Sequence, residues 1–466
     1  MINKKEYIWK ILIVVLFVIL ITCLHYYHEP WADEAQSFLL ARDTSLLEMF
    51  HYMKYEGTPP LWVIVIKVFF MLGGTYSTFW LIPLIFSTIA IIILEFKIEL
   101  PWYIKVLLPF TYYICCQYTI VIRNYSMLFL ALMIIAYIYP KRMEKTKSFS
   151  LALFFLMTIS THTFLIAGSL FLLYIIDLIR LKKIKEIKYI SSVAFISLFF
   201  IITIFVLIPT SDGHFHGNGG WTVKHILSES MLCSNDNLVT NIFSITVILV
   251  ILLKSMKDEN IAEIIMLFVP IMILLSRMHC MDWHVGIIFY LFLFYLIISN
   301  LINTKTYIKV LFTMICIVQI VWTVGFCWYD INYPYSAGKK MANFIKSNEL
   351  EQRRIIGLGY NVTAIQPYFE KNIFENQYES NKAFWNWGNS ATAETKKIDR
   401  IVEANADVYI ICEFYSDMYA DVITKLENMD YKRVDIKGFT FSKTHLCESG
   451  TYYVFLKNEI NLKEYK

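Results

Sequence analysis

The sequence predicts an α-helical polytopic membrane protein of about eleven transmembrane helices, followed by a small C-terminal α/β domain. Three observations predict it. Hydrophobic residues make up 57% and aromatic residues 17% of the 466-residue chain, more than a soluble core of that length calls for. Apolar runs of spanning or near-spanning length recur as far as residue 328. Beyond about 330 these runs stop, and segments of helix and strand pattern alternate. The formal charge of +4 is too small to point to nucleic acid as a partner.

The apolar runs lie near 8–24, 77–95, 102–121, 124–139, 148–160, 163–179, 189–208, 239–255, 261–276, 285–301 and 307–328. Lys4, Lys5 and Lys10 flank the first run in the manner of a signal peptide, but no small-residue cleavage pattern follows, so a retained anchor is expected. The polar break Ser160-Thr161-His162-Thr163 divides 148–179 into two helices; the alternative is one long tilted helix. Residues 61–72 (LWVIVIKVFFML) are apolar, short and interrupted by Lys67, as in a re-entrant or interfacial segment. Their placement sets the topology. With that segment on the outer face, the basic stretches 141–147 and 180–188 fall inside, as the positive-inside tendency requires. The N-terminus is then cytoplasmic and the C-terminal domain extracytoplasmic, in a multi-pass protein of the cell membrane. Apart from Lys67, the short outer loops hold only Arg42, Lys54, Arg123, Lys224 and Arg277 as basic residues, which makes them candidates for binding an anion. The expected domains are 1–328, a transmembrane domain whose first outer loop is 25–76, and 329–466.

In the tail, Ser336 is the expected N-cap of a helix to Lys346, followed by a strand at Ile355–Leu358 and a helix around Thr363–Glu370. A polar helix near Thr392–Asn405 leads into a buried strand at Asp407–Cys412. A helix at 417–428 and strands at 432–436 and 451–456 complete the domain. Gly357 and Gly359 lack a dinucleotide fingerprint, so no nucleotide cofactor is assigned. The nine cysteines show no metal-site spacing. Cys233, Cys280, Cys412 and Cys447 fall on the outer side, which leaves a disulfide open.

Chemistry concentrates in residues 25–62, the first long polar excursion. Adjacent Asp33 and Glu34 lie beside Trp31, the histidines His28 and His51 lie close by, and the turn Glu56-Gly57-Thr58-Pro59-Pro60 returns the chain to the membrane. Asp33 has two readings: the N-cap of a helix from Glu34 to Ala41, or a carboxylate near lipid acting as general base or cation ligand. Ser45 and Glu48 form a capping-box pattern for a second short helix. Further along, Arg123 reads as an anion-binding or a snorkelling residue, and His162 as a site residue or an interfacial hydrogen-bonding histidine. Arg277, His279, Asp282 and His284 share one turn that suits a metal or phosphate, or is simply polar loop. The glycine- and histidine-rich stretch 212–221 is either a substrate cover or a solvated loop.

The combination His28-Glu29-Pro30-Trp31-Ala32-Asp33-Glu34-Ala35 and Tyr55-Glu56-Gly57-Thr58-Pro59-Pro60-Leu61-Trp62 resembles the first outer loop of the GT-C superfamily of membrane glycosyltransferases. The likeness is to bacterial members related to protein O-mannosyltransferases and aminoarabinose transferases. It extends to Arg123-Asn124-Tyr125, His162 and Trp283-His284-Val285-Gly286, so that it covers roughly residues 8–328. Thr58 departs from the pattern, since these relatives commonly carry histidine or another polar residue before Pro-Pro.

The resemblance implies transfer of a sugar from a polyprenyl-phosphate donor to an acceptor hydroxyl on the outer face, with inversion. It implies Asp33 as the base and Glu34 as its assistant or a cation holder. Glu56 would lie near the donor phosphate, with a divalent metal as candidate cofactor and His162 as its second candidate ligand. Lys54, Arg123, Tyr125, His162, Arg277 and His284 complete the expected substrate-binding set. The acceptor is left open. Two other readings are a lipid-linked-sugar transporter or other non-enzymatic membrane protein, and a transferase of another lipid-borne group such as phosphoethanolamine. Acids gathered in one outer loop, with Glu95, Asp177 and Glu263 near cytoplasmic ends, favour surface chemistry over a transport path. The tail lacks the clustered metal-ligand set of phosphoethanolamine transferases.

Overall fold

The computed structural model describes residues 4–208, 210–211, 220–234, 237–258, 260–278, 280–376, 382–388, 398–438, 440–442, 445–447 and 450–463. It is mostly helical with a small C-terminal sheet. Six described helices have the length and apolarity to cross a membrane: Lys4–His25, Tyr76–Lys97, Thr161–Arg180, Ile187–Leu207, Leu238–Lys257 and Thr306–Asn332. Several other expected runs form shorter helices, including Tyr125–Ile138, Thr146–Met157 and Gly286–Ile298.

The expected span at 102–121 is not one helix. A short helix Trp102–Leu107 ends in a 3₁₀ turn at Leu108–Phe110, and a π-helix follows at Tyr113–Ile120. Pro109 cannot supply the backbone N–H that a continuing helix needs. Thr119 Oγ1 donates to the Ile114 carbonyl at 2.6 Å, across the wider π turn. The break expected at Ser160 is present. Ser160 Oγ accepts from the Thr163 amide at 3.2 Å and starts the helix Thr161–Arg180, separate from Thr146–Met157.

The chain divides into two compact units: residues 1–22, 81–208 and 216–324 form a helical unit, and residues 23–80, 209–215 and 325–466 a mixed unit. α1 (Lys4–His25) lies almost wholly in the helical unit; in the mixed unit the chain continues through α2 (Ala32–Asp43), α3 (Leu46–Glu56) and α4 (Leu61–Met71). α2 starts two positions before the expected Glu34, with Trp31 in extended conformation as N-cap. Asp33 therefore lies inside the first turn and is not the cap. Asp33 and Glu34 there, with Arg42 in the last turn, complement the helix dipole. α3 carries the expected capping box: Ser45 Oγ accepts from the Glu48 amide at 3.3 Å and Glu48 Oε2 from the Ser45 amide at 2.8 Å. Gly57, at φ 60°, ends α3 in the left-handed region that glycine tolerates.

α4 is 11 residues long, roughly half of what a bilayer core requires, and it packs against α2. Lys67, which interrupts its apolar run, has a structural task. Its ammonium donates to the Ala41 carbonyl at 2.9 Å and to the Thr44 carbonyl, capping the C-terminal end of α2.

In the tail, Ser336 Oγ accepts from the Gly338 amide at 3.1 Å ahead of the helix Gly338–Ser347. Four strands, β1 (Ile355–Leu358), β2 (Val408–Cys412), β3 (Tyr431–Ile436) and β6 (Tyr452–Lys457), make a sheet of order β1-β2-β6-β3. The β1–β2 pair is parallel and the other two are antiparallel. β2 is buried along its whole length because both faces are covered. One face packs Ile410 and Val454 against Met341, Phe344 and Val362. The other packs Tyr409 and Phe455 against Val422 and Leu426. A small hairpin, β4 (Thr440–Ser442) with β5 (His445–Cys447), was not expected from the sequence. The expected helix at Thr363–Glu370 is a 3₁₀ segment, Tyr360–Tyr368, against which α2 packs. Of the expected helix at 392–405, the described part is Ile398–Glu403. Cys233, Cys280 and Cys412 are free thiols.

Candidate functional site

α2 sends its two adjacent acids in different directions, because consecutive helical residues lie about 100° apart. Glu34 turns inward. Its side chain is fully buried, Oε2 accepts from the Trp31 amide at 2.9 Å, and Oε1 lies 3.4 Å from His28 Nε2. The other ring nitrogen of His28, Nδ1, lies 3.0 Å from Asp330 Oδ2 and 3.2 Å from Oδ1. His28 thus bridges two carboxylates that are 296 positions apart in the chain. Burial alone would lower the imidazole's pKa, but Asp330 and Glu34 outweigh it and push the group up to about 10. As an imidazolium, His28 donates to both acids. Next to it, Glu29 Oε1 accepts from Tyr368 Oη at 2.5 Å and from the Lys339 amide at 3.0 Å. Burial raises its pKa, and those two donors oppose the rise.

Asp33 is half-buried on the other side of α2. Its charge reaches Tyr415, whose hydroxyl is raised mainly by burial, with Cys412 adding to the rise and the Tyr360 backbone amide opposing it. The Tyr415 ring lies over Gly359, where a Cβ would stand 2.3 Å from it and φ is +85°, so glycine is required there. One turn beyond Asp33, Gln36 is a hub. Its amide nitrogen donates to Glu56 Oε1 and to the Trp385 carbonyl, both at 2.7 Å, while its oxygen accepts from the Trp385 amide at 2.8 Å. Glu56, at the end of α3, is thereby tied to α2. Lys54 is exposed on α3, and so is His51, which packs edge-on against Tyr52 and Tyr55.

In the helical unit the structure brings together two of the expected histidines: the His162 and His284 rings lie 4.8 Å apart at 36°. His284 is buried, and its Nδ1 accepts from the Met281 amide at 3.2 Å, which leaves the proton on Nε2. Tyr125 stacks on Tyr118 at 4.4 Å, and Tyr118 Oη donates to the Trp283 carbonyl at 2.6 Å. Tyr118 therefore links two motifs that the sequence reading kept separate. Gly286 makes room for it, since a Cβ there would stand 2.2 Å from the Tyr113 ring and 2.5 Å from Tyr118 Oη. Arg123 is half-buried in the turn before Tyr125. Arg277 ends its helix exposed, with no ion pair among the described residues. His279 and residues 212–219 lie outside the described residues.

Among the described residues no group of three or more His, Cys, Asp or Glu side chains could hold a metal ion. Glu56 is engaged by the Gln36 amide and His162 by the His284 ring. The residues that sequence reading missed are Asp330, Gln36, Tyr118, Tyr360, Trp385 and Trp387. Asp330 carried a signal, as an acid in the last turn of an apolar helix. No protein-family model matches the chain, and no curated protein matches it.

Proposed function

We propose that the chain is an integral-membrane glycosyltransferase that moves a sugar from a polyprenyl-phosphate donor to an acceptor hydroxyl, with inversion. In this reading the apolar runs make about eleven crossings in a GT-C-like arrangement, with the N-terminus cytoplasmic and the tail outside. The observation that carries it is the division of labour on α2. Glu34 is buried against His28, whereas Asp33, one residue away on another face of α2, is half-buried. Asp33 takes the proton of the acceptor hydroxyl as its oxygen attacks the anomeric carbon. The bond from that carbon to the phosphate oxygen breaks, and polyprenyl phosphate leaves with the electron pair. Glu34 acts as a positioning residue, fixing the first turn of α2 through Trp31 and His28. Within the helical unit, Arg123 and the His162–His284 pair offer cationic and hydrogen-bonding groups suited to a lipid phosphate.

A second reading, movement of a lipid-linked sugar across the bilayer, is favoured by Glu95. Its carboxylate is buried within the helix Leu81–Lys97 and has no hydrogen-bond partner among the described residues. Mass analysis of envelope glycans in a deletion strain tests the first reading. Loss of one glycosyl increment supports transfer, and an unchanged glycan spectrum overturns it. If Glu95→Gln reproduces the deletion while Asp33→Asn does not, the transport reading is preferred.

A further inference from the structure

We propose that Tyr360, Trp385 and Trp387 form a binding surface for a neutral saccharide. This deepens the transferase reading by naming the class of its acceptor, and as an acceptor site it rests on that reading. The three rings are half-buried and adjoin one another: the centroids of Tyr360 and Trp387 are 4.9 Å apart, and Trp385 lies 6.1 Å from each of them.

Residues 382–388, which carry the tryptophans, form neither helix nor strand, yet side chains of α2 and α3 hold 382–385 in place. Lys382 donates to Glu48 at 3.1 Å and to the Tyr52 hydroxyl at 2.9 Å. The Ala383 amide donates to Asp43 at 2.8 Å, and the Phe384 ring packs 4.8 Å from Tyr52. Gln36 grips both backbone groups of Trp385, and Asn386 Oδ1 accepts from the Gly388 amide at 2.9 Å. Irregular backbone fixed by this many side chains presents its rings pre-organised, which lowers the ordering cost of binding.

Ring spacing and charge select the ligand. A cation held between two aromatic faces needs about 3.5–4 Å of contact on each side, roughly 7–8 Å between centroids. At separations of 4.9–6.1 Å, with planes inclined at 79°, 43° and 65°, the rings touch one another edge to face, so no gap for an ammonium lies between them and they present an angled aromatic wall. An anion is disfavoured too. Gln36 ties the carboxylate of Glu56 to Trp385, the charge of Asp33 reaches Tyr415 beside Tyr360, and Lys382 already neutralises Glu48. A neutral ring with an apolar C–H face and a rim of hydroxyls satisfies both conditions. Its C–H face stacks on the aromatic faces, which carry negative charge density, and its hydroxyls donate to carboxylate and amide oxygens.

The test uses the full-length protein in lipid nanodiscs, free of sugar-headed detergent, with cellotetraose, mannotetraose and chitotetraose as probes in saturation-transfer NMR. At least one tetrasaccharide is expected to receive saturation from aromatic protons. Its affinity falls about tenfold in Trp387→Leu and stays close to wild type in Trp387→Phe, which keeps the ring. No transfer to any of the three probes, equal binding by Trp387→Leu, or transfer to a serine- and threonine-containing peptide pool with none to the saccharides overturns the proposal. No donor is present in this assay. Ring-dependent binding by a protein that transfers no sugar therefore sinks the transferase reading alone, and transfer without such binding sinks the saccharide surface alone.

Discussion

Replacing His28 by glutamine removes the one cation between Glu34 and Asp330, and its cost follows from the geometry. All three side chains are fully buried in the native protein. Removing one partner of a buried ion pair costs about 3–5 kcal/mol, because the remaining charge has no compensation. The pH dependence is the sharper signature. The imidazole rises from 6.5 to about 10 on folding, so it binds its proton more tightly in the native state. A raised pKa contributes stability that is complete below about pH 6.5 and is lost as pH rises through about 10. Between those limits the loss runs at about 1.4 kcal/mol per pH unit. Chemical unfolding of the full-length protein in nanodiscs at about pH 6, 8 and 10 reads this directly. Wild type should lose stability steeply across the series. His28→Gln should be less stable at about pH 6 and nearly flat above it. Asp330→Asn, which removes one of the two acids that hold the proton, should move the loss to lower pH. Equal slopes in wild type and His28→Gln, with stabilities within about 1 kcal/mol, would refute the triad.

Lys67→Met keeps the apolar stem but frees the carbonyls of Ala41 and Thr44. It should cost about 1–2 kcal/mol and speed amide hydrogen exchange in the last turn of α2, with the first turn unaffected; unchanged exchange there removes the capping role. Glu48 is held down to about 2 by the Ser45 amide, the Ser45 hydroxyl and Lys382, so its capping contribution is complete above the ordinary carboxylate range and lost as pH falls through about 2. Glu48→Ala should therefore raise exchange in the first turn of α3 at neutral pH and make that turn insensitive to acid; a turn that still loosens in acid contradicts this.

Local chemistry was legible in the sequence, and long-range partnership was not. The Ser45–Glu48 box, the Ser160 break, the short helix after Pro59-Pro60, and strands β1 and β2 each depend on residues within a few positions of one another. Capping chemistry and apolar periodicity report such features directly. The π-helix Tyr113–Ile120 is not legible because hydropathy counts tyrosine and cysteine as apolar and does not register i→i−5 bonding. Asp330 stands in the last turn of an apolar helix, where no sequence pattern pairs it with a residue 302 positions away, and only folding puts it against His28. Gln36, an amide on a short helix, carries no sequence pattern; its partners Glu56 and Trp385 lie 20 and 349 positions away. Asp33 and Glu34, identical in local context, separate only when the helix phase buries Glu34 against His28 and leaves Asp33 half-buried on another face.

That separation is what the most direct measurement addresses. Asp33→Asn is nearly isosteric and leaves the Glu34–His28–Asp330 triad untouched, so the protein should fold and insert as wild type does. Introduced into the deletion strain, it should fail to restore the missing glycosyl increment in the envelope glycans, whereas the wild-type gene restores it. Full restoration by Asp33→Asn would contradict the assignment of Asp33 as the base that activates the acceptor.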